Sequence, residues 1–385
     1  MFNNPRYILW GIIIFIFIGI PLLFRLFDYS NQNTYDDKIS KTLDAETQES
    51  TFVTKSRPKN VIFLIGDGMG LSQISAAAIV KRDGLALEQF RHIGLMKTHS
   101  TKLITDSAAG ATAMASGKKT YNGAIGMGPK LDTLKTILEY AEDAGWVTGV
   151  VTTATVTHAT PACFYGHQPK RNSVNRELAA QFMDHDIEVL MGGGWAYFKK
   201  GLNGRDLIEE AELKGYFVTD DINKVGDYTP KRIICLISEE LPGRLKKRGD
   251  FLPKAAKKSI EVLKSNNKPF FLMIEGAQID WGGHNKDSEY IIEEMLDFDA
   301  TVAAVLEFAK KDGNTLVLVT ADHETGGYSI NDGNIEKGTV DGRFTSAYHT
   351  ATMVPVFAYG PGAASFTGVF DNTEVFLKLK LLMGL

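Results

Sequence analysis

The sequence predicts an α/β fold, a three-layer sandwich in which a central, mostly parallel sheet is covered by helices on both faces. Short, continuous apolar runs recur along the chain, and such runs are typical of strands buried on both faces of a sheet. Segments with helical periodicity lie between these runs, and strands that alternate with helices favour parallel pairing. The runs are Asn60 to Ile65, Val147 to Val151, Ile187 to Met191, Phe270 to Ile274, Leu316 to Val319 and Val354 to Tyr359.

Three segments carry the helical pattern most clearly. The longest is Ser288 to Lys311, where apolar residues recur every three or four positions, and Leu134 to Ala144 and Ala255 to Leu263 are similar. This spacing places the apolar side chains on one face of a helix. Residues 201–253 have weaker periodicity, and we interpret them as a small peripheral insertion.

The N-terminal residues differ in composition from the rest of the chain. An uncharged apolar stretch runs from Tyr7 to Phe24 between Arg6 and Arg25, which is about the minimum length for a helix that spans a bilayer. No small-residue cleavage site follows it, so residues 1–27 are predicted to be an uncleaved membrane anchor rather than a removed signal peptide. Residues 28–58 are polar and are predicted to be a linker, and the globular domain is expected over 59–385.

Charge and cysteine content exclude some classes of function. A net charge of -4 provides no basic surface for nucleic acid. Cys163 and Cys235 lie far apart and match no metal or redox spacing. Buried thiols are therefore favoured over a disulfide.

Ser107 lies at the start of a segment of small residues, TDSAAGATA at 105–113. A helix N-terminus offers free backbone N–H groups and the positive end of the helix dipole, which together suit an anion. A serine in this position is also a common N-cap. The segment alone therefore leaves a nucleophile and a helix cap as alternatives.

Carboxylates and imidazoles follow several of the predicted strands. In open α/β sheets, ligands bind at the carboxyl ends of the strands. Imidazole and carboxylate together suit zinc or a similar divalent ion, so the pattern predicts a metal cluster; the alternative is a set of unrelated turn residues and helix caps. The candidate ligands are Asp67, Glu275, Asp280, His284, Asp322, His323 and His349.

A further strand, Val147 to Val151, leads towards Thr160 and Arg171. A threonine hydroxyl can bind a hard cation such as magnesium, and an arginine can hold two oxygens of a phosphate. Each residue taken singly also has a structural interpretation, Thr160 as a helix cap before Pro161 and Arg171 as surface charge.

In these residues the chain resembles the alkaline phosphatase family. The matching motifs are NVIFLIGDGMG, TDSAAGATA, ATVTHATPA, VLMGGG, FFLMIEGAQIDWGGH and TADHETGG, with Arg171 and the loop around His349. They occur in the family's order and cover the chain from about Asn60 to its C-terminus. The resemblance implies the α/β sandwich of that family and an enzyme that hydrolyses phosphate monoesters and releases inorganic phosphate.

The resemblance also implies a role for each matched residue. Ser107 is similar to the nucleophile that forms a phosphoserine, Arg171 to the group that clamps the phosphate, and Asp106 to a residue that orients this arginine. Two zinc ions and one magnesium ion are implied as cofactors. The first zinc is matched by Asp280, His284 and His349, the second by Asp322, His323 and Asp67, and the magnesium by Asp67, Thr160 and Glu275.

Two positions depart from some members of the family. His158 stands where some carry an aspartate, and Trp281 where some carry a lysine. An imidazole is a softer ligand than a carboxylate, so cobalt could compete with magnesium at the third site. The alternative is that His158 only hydrogen-bonds to a water on the metal.

Family members usually work outside the cytoplasm, so the resemblance implies a periplasmic or extracellular domain held to the membrane by residues 1–27. A homodimer is a family expectation only. A phosphodiesterase or sulfatase of the wider superfamily is one alternative, but related sulfatases use a modified cysteine and related diesterases commonly use threonine, so Ser107 with Arg171 favours a monoesterase. A non-catalytic phosphate- or metal-binding protein is the other alternative.

Overall fold

The computed structural model describes residues 57–225 and 229–385. The predicted anchor and almost all of the predicted linker lie outside the described residues, and their assignment stays a prediction. Within the described part of the chain, no helix combines the length and the apolar character needed to cross a membrane.

The middle layer is a ten-stranded sheet, and the prediction of a central, mostly parallel sheet is confirmed. Its strands in spatial order are β14 (Gly368–Asp371), β2 (His92–Lys97), β13 (Val354–Tyr359), β8 (Thr315–Thr320), β1 (Asn60–Gly66), β7 (Phe270–Gly276), β3 (Val147–Thr155), β4 (Val189–Gly193), β6 (Ile233–Leu236) and β5 (Phe217–Thr219). Only β13 runs against its neighbours, β8 and β2, among these ten strands. Two short pairs lie outside the sheet: β9 (Glu324–Thr325) with β12 (His349–Thr350), and β10 (Tyr328–Asn334) with β11 (Thr339–Phe344).

Helices lie between the strands along the chain. In the described residues they are α1 (Leu71–Lys81), α2 (Ser107–Ser116), α3 (Ile137–Asp143), α4 (Ala159–Ala162), α5 (Asn175–Phe182), α6 (Trp195–Lys199), α7 (Leu207–Leu213), α8 (Leu245–Arg248), α9 (Phe251–Ser265), α10 (Gln278–His284), α11 (Ser288–Asp312) and α12 (Thr373–Met383). Short 3-10 turns lie at Ala86–Gln89, Leu202–Gly204, Ile222–Val225 and Ala363–Phe366.

The register of the central strands brings the candidate ligands to one edge of the sheet. β1 pairs in parallel with β7 and β8, and Ile65 lies opposite both Glu275 and Thr320. The segments that leave these strands therefore start side by side. All residues of β1 and β7 are buried, as their continuous apolar pattern predicts.

Element boundaries differ from the sequence predictions where local hydrogen bonds decide them. The helix predicted from Leu134 begins at Ile137, because the Thr136 hydroxyl accepts from the Glu139 N–H and the Glu139 carboxylate accepts from the Thr136 N–H. The strand predicted at Ile187 begins two residues later. Residues 201–253 contribute β5 and β6, which extend one edge of the main sheet.

Cys163 and Cys235 are free and buried. Burial raises the pKa of each thiol to about 12. Both are therefore packing residues with little thiolate character near neutral pH.

Candidate active site

Ser107 is the first residue of α2, and the N-cap of that helix is Asp106. The Asp106 carboxylate accepts from the backbone N–H of Ala109 at 3.0 Å and of Gly123 at 3.1 Å. The interpretation of Ser107 as a plain helix cap is therefore wrong. Its hydroxyl lies 3.4 Å from Nε2 of His323, and the residue is 2 % exposed.

A glycine allows α2 to approach the loop after β8. A Cβ atom on Gly110 would lie 3.2 Å from the carbonyl oxygen of Asp322, which is closer than side chains normally pack. The run of small residues around Ser107 thus serves close packing of this helix. It brings the serine next to the carboxylate and imidazole of the β8 loop.

Arg171 lies on the other side of Asp106. Its Nη1 is 3.3 Å from Oδ2 of Asp106, and its Nη2 is 3.4 Å from Nε2 of His158. Burial alone would lower the pKa of Arg171, but the charges of Asp106 and Asp67 raise it. Arg171 therefore presents a fixed positive charge next to Asp106, the residue before Ser107. The interpretation of Arg171 as ordinary surface charge is wrong.

Asp280, His284 and His349 form one group of candidate ligands. Nε2 of His284 lies 3.3 Å from Oδ2 of Asp280, and Nε2 of His349 lies 3.4 Å from Oδ1. The Nδ1–H groups donate to backbone carbonyls, that of His284 to Ala347 at 2.8 Å and that of His349 to Thr105 at 2.9 Å. A neutral imidazole held in this way presents its Nε2 lone pair to the site.

Asp67, Asp322 and His323 form a second group. All three are fully buried, and Nε2 of His323 is 3.2 Å from Asp322 and 3.5 Å from Asp67. Asp67 lies in the turn that follows β1, but neither of its carboxylate oxygens has a hydrogen-bond partner, so its side chain caps no helix. Gly68, with a φ of +75, permits this arrangement, because a Cβ there would lie 2.7 Å from Cα of Asp280.

Glu275, Thr160 and His158 lie around the other side of Asp67. The ligand atoms of Asp67, His158 and Glu275 all lie within 4.8 Å of one another. One Glu275 oxygen accepts from Thr152, while the other oxygen and the Thr160 hydroxyl have no partner. Thr160 lies inside α4, whose N-cap is His158, so its interpretation as a cap is wrong.

Burial and mutual repulsion control the ionisation of these groups. Burial raises the pKa of Asp67, and the charges of Asp322 and Asp280 raise it further. Burial also raises the pKa of Glu275, to about 7. For His158, burial and the charge of Arg171 lower the pKa to about 3, so this imidazole stays neutral.

Comparison with known proteins identifies the family. The model of the alkaline phosphatase family matches residues 58–342. The chain belongs to the alkaline phosphatase family. Alkaline phosphatase 3 of Bacillus subtilis is 33% identical, over 86% of this chain and 90% of that protein. The family predicted from the sequence motifs is thereby confirmed.

Solved structures of alkaline phosphatases have the same fold. The alkaline phosphatase of the Antarctic bacterium TAB5 is 40% identical with a TM-score of 0.80, over 85% of this chain and 98% of that chain. A histidine-to-aspartate mutant of that enzyme, with Mg bound in its M3 site, is 39% identical with a TM-score of 0.79 and the same coverage. The predicted α/β sandwich and an enzyme of this family are thus confirmed.

The residues of this alkaline phosphatase fit the metal ions that the family implies. Buried carboxylates are stable only when they are paired or bound to a cation. Asp67, Glu275 and Asp322 each keep at least one buried oxygen without a hydrogen bond, and Arg171 is the cation that lowers the pKa of both Asp67 and Glu275. Divalent cations at these oxygens and at the free imidazole nitrogens would complete the site.

Two residues of the site were missed by sequence reasoning, although both lie in the TADHETGG motif. The Thr325 hydroxyl donates to Oδ1 of Asp280 at 2.5 Å and lies 3.2 Å from Nδ1 of His323, which leaves Nε2 of that histidine free for the site. The buried Glu324 carboxylate accepts from Gln73 at 2.8 Å and from Thr350. The only indication of these two residues in the sequence was their position between the predicted ligands His323 and His349.

Proposed function

We propose that this protein hydrolyses phosphate monoesters by transferring the phosphoryl group first to Ser107 and then to water. The observation that carries the proposal is the position of the Ser107 hydroxyl. It lies at the N-terminus of α2, 3.4 Å from His323, while Asp106 one residue earlier contacts Arg171 at 3.3 Å. A nucleophile, a helix N-terminus and a phosphate clamp therefore meet at one point.

The metal groups support the same chemistry. Two zinc ions would favour the ionised form of the serine and balance charge on the phosphate. One would be held by Asp280, His284 and His349. The other would be held by Asp67, Asp322 and His323. A magnesium ion would fit Asp67, Thr160 and Glu275. 

The identity of the third ion depends on the tautomer of His158. Arg171 can only donate, so its 3.4 Å contact favours an unprotonated Nε2 and a protonated Nδ1 on His158. Nδ1 of His158 is buried and has no hydrogen-bond partner among the described residues, so an Nδ1–H group there would be free to donate to a water on the metal instead of binding the ion. This favours a hydrogen-bonding role for His158 and a third site that keeps magnesium.

The chain's own residues would act in two steps. In the first, the Ser107 hydroxyl gives its proton to solvent, an Oγ–P bond forms, the bond from phosphorus to the ester oxygen breaks, and the alcohol leaves after taking a proton from solvent. In the second, water attacks the phosphorus and loses a proton to solvent, the Oγ–P bond breaks, Ser107 regains a proton from solvent, and inorganic phosphate leaves. Throughout, Arg171 binds non-bridging oxygens, and Asp106 holds the guanidinium in place through its contact at 3.3 Å.

The decisive experiment measures phosphate release from an aryl monoester by metal-loaded enzyme. We expect Ser107→Ala to lower kcat by about a thousandfold or more, because the hydroxyl is the acceptor in the first step. The matched control is Ser75→Ala, since Ser75 is an exposed serine that bonds only within α1. Mass spectrometry of acid-quenched enzyme should detect phosphate on Ser107.

The same assay separates the alternatives. A phosphodiesterase would release product faster from a diester than from the matched monoester. A binding protein would retain inorganic phosphate but release none from any ester. Full activity in Ser107→Ala would contradict the phosphoserine route.

We also propose that the domain works at the periplasmic or extracellular face of the membrane, and that it forms a homodimer. The apolar stretch from Tyr7 to Phe24 and the usual location of family members outside the cytoplasm support the first proposal. The homodimer is supported only as an expectation for the family. Protease accessibility of the full chain in spheroplasts, in which the outer envelope is opened and the cytoplasmic membrane stays sealed, tests the first proposal. Sedimentation of the detergent-solubilised chain tests the second. Protection from protease in spheroplasts, or a monomer at all concentrations, would contradict them.

A further inference from the structure

We propose that Tyr348 is a platform for the leaving group, so that the enzyme prefers monoesters whose alcohol carries an aromatic ring next to the phosphate. This inference rests on the proposed phosphatase function and adds a substrate class to it. Tyr348 itself touches only the part of the substrate that leaves as the alcohol. It is therefore a specificity residue and takes no part in the bond changes.

The Tyr348 ring packs directly against candidate metal ligands. It stacks on the His349 imidazole with a centroid distance of 4.4 Å and an interplanar angle of 7°, and it lies 5.9 Å from the ring of His284. The residue is nevertheless 49% exposed. One face of the ring is thus covered by a candidate metal ligand, while much of the residue faces solvent.

The position of Ser107 decides on which side of the site the leaving group lies. In an in-line displacement, the attacking and leaving oxygens occupy opposite sides of the phosphorus. Ser107 lies beside His323, which is fully buried together with Asp67 and Asp322. An alcohol on that side would have to enter this buried cluster.

The exposed side of the site is formed by different residues. The His284 side chain is 33% exposed and Tyr348 is 49% exposed, and both contact His349. An alcohol that points away from Ser107 and towards solvent would therefore lie on the side of the site where the Tyr348 ring is exposed. A planar ring there could stack on it, and aromatic pairs favour such offset arrangements.

Backbone hydrogen bonds hold the platform in place before substrate binds. The Tyr348 N–H donates to Oγ of Ser346 at 2.9 Å, and its carbonyl accepts from the Gly326 N–H at 2.9 Å. The next residue, His349, is fixed by its bond to the Thr105 carbonyl. Little conformational freedom is lost when a ligand stacks on a ring held in this way.

The test compares ligands that differ only in aromaticity. Calorimetry on metal-loaded enzyme measures the affinity for 2-phenylethylphosphonate and for 2-cyclohexylethylphosphonate, which carry a methylene in place of the ester oxygen. Turnover assays measure kcat/KM for the corresponding esters, benzyl phosphate and cyclohexylmethyl phosphate, whose alcohols are of similar acidity. We expect the aromatic member of each pair to be favoured by about three- to tenfold.

Variants of Tyr348 test whether its aromatic ring causes this preference. Tyr348→Phe should keep the aromatic-to-saturated ratio, whereas Tyr348→Leu should bring it close to one. Ile335→Ala, which truncates an apolar side chain that is 80% exposed, is the control and should keep the ratio.

Each outcome separates the inference from the proposed function. A ratio retained in Tyr348→Leu, or equal losses for both ligands, would overturn the inference, because Tyr348 would then only support His349. Ester hydrolysis without any aromatic preference would leave the phosphatase function standing and the inference wrong. A ring-dependent preference among the phosphonates without phosphate release from any ester would support the inference and contradict the function.

Discussion

Two groups of buried carboxylates in this molecule differ in how their charge is balanced. Three acids of the active site, Asp67, Glu275 and Asp322, are called the active-site acids below, and the helix acids on α11 are Glu294, Asp297 and Asp299. All six residues are at most 6% exposed. Each active-site acid keeps at least one buried oxygen without a hydrogen bond, whereas no helix acid does.

The helix acids are neutralised by side chains from elsewhere in the chain. Arg248 lies 2.9 Å from Glu294 and 2.7 Å from Asp297, and Lys81 lies 2.7 Å from Asp299. Carboxylates that are equally buried can therefore play two different roles. In these two groups, the carboxylates with complete partners hold the fold together, and the carboxylates without them mark a site that binds a cation.

The largest expected difference concerns metal removal. Because the active-site acids have too few partners of their own, we expect chelation to lower the free energy of unfolding by about 4 kcal/mol for each ion bound at about 1,000 times its Kd. Urea unfolding with and without chelator measures the change. Equal stability of both forms would show that these acids need no cation.

Breaking the helix group should destabilise the protein whether or not metal is present. Arg248→Met leaves Glu294 and Asp297 buried without their cation, so we expect a loss of about 3–5 kcal/mol in the free energy of unfolding. The kcat of the folded fraction should stay close to that of the wild type. Unfolding curves measured with and without chelator should show the same loss, and a loss only in the metal-loaded form would contradict the comparison.

Neutralising one acid in each group should have opposite effects on the metal-free protein. The folded-state pKa of Asp67 is raised by burial and by Asp322, so its ionisation destabilises the metal-free fold as pH rises above the unfolded value. We therefore expect Asp67→Asn to stabilise that form at neutral pH and to weaken metal binding at least about tenfold. Asp299→Asn should instead lower stability by about 1–3 kcal/mol, because it weakens the pair with Lys81.

Metal titrations of urea-unfolding midpoints measure both effects of this pair of variants. Destabilisation of the metal-free protein by both substitutions would remove the distinction between the two groups.

The smallest expected effect concerns a paired histidine. Burial alone would lower the pKa of His185, but the hydrogen bond and charge of Glu142 raise it above its usual value. The pair therefore stabilises the fold fully below the unfolded pKa of about 6.5 and loses this contribution as pH rises through the folded pKa. His185→Gln should cost up to about 1 kcal/mol near pH 6 and almost nothing near pH 9.

The pH series uses urea unfolding of wild type and His185→Gln with metal held constant. A difference that grows with rising pH would contradict the sign of this prediction.

Much of the fold was predictable from local patterns. The central strands were found because apolar runs buried on both faces leave a continuous signal, and α11 was found because its apolar face repeats over 25 residues. Four strands of the main sheet were missed: β2, β5 and β14 are partly exposed, and β6 has only four residues. The hairpin of β10 and β11 was missed because its mostly exposed strands lack a continuous apolar run.

The candidate site was predictable in its composition but not in its contacts. The sequence by itself determined which side chains follow the buried strands, because the apolar pattern of a strand is a local property of the chain. Only the tertiary structure decided how they meet. The bond from His349 to the Thr105 carbonyl joins residues 244 positions apart, and that from Thr325 to Asp280 joins residues 45 apart.

The same limit applies to charge. Asp67 and Asp299 are both fully buried aspartates. The position of Asp67 after a predicted strand made it a candidate ligand, but no local pattern tells which of the two has a cationic partner. Lys81 reaches Asp299 across 218 positions, while both oxygens of Asp67 are left without a hydrogen bond. Hydrogen bonds and ion pairs depend on distances between segments that only folding brings together, and for that reason the unpaired carboxylates became visible in the structure alone.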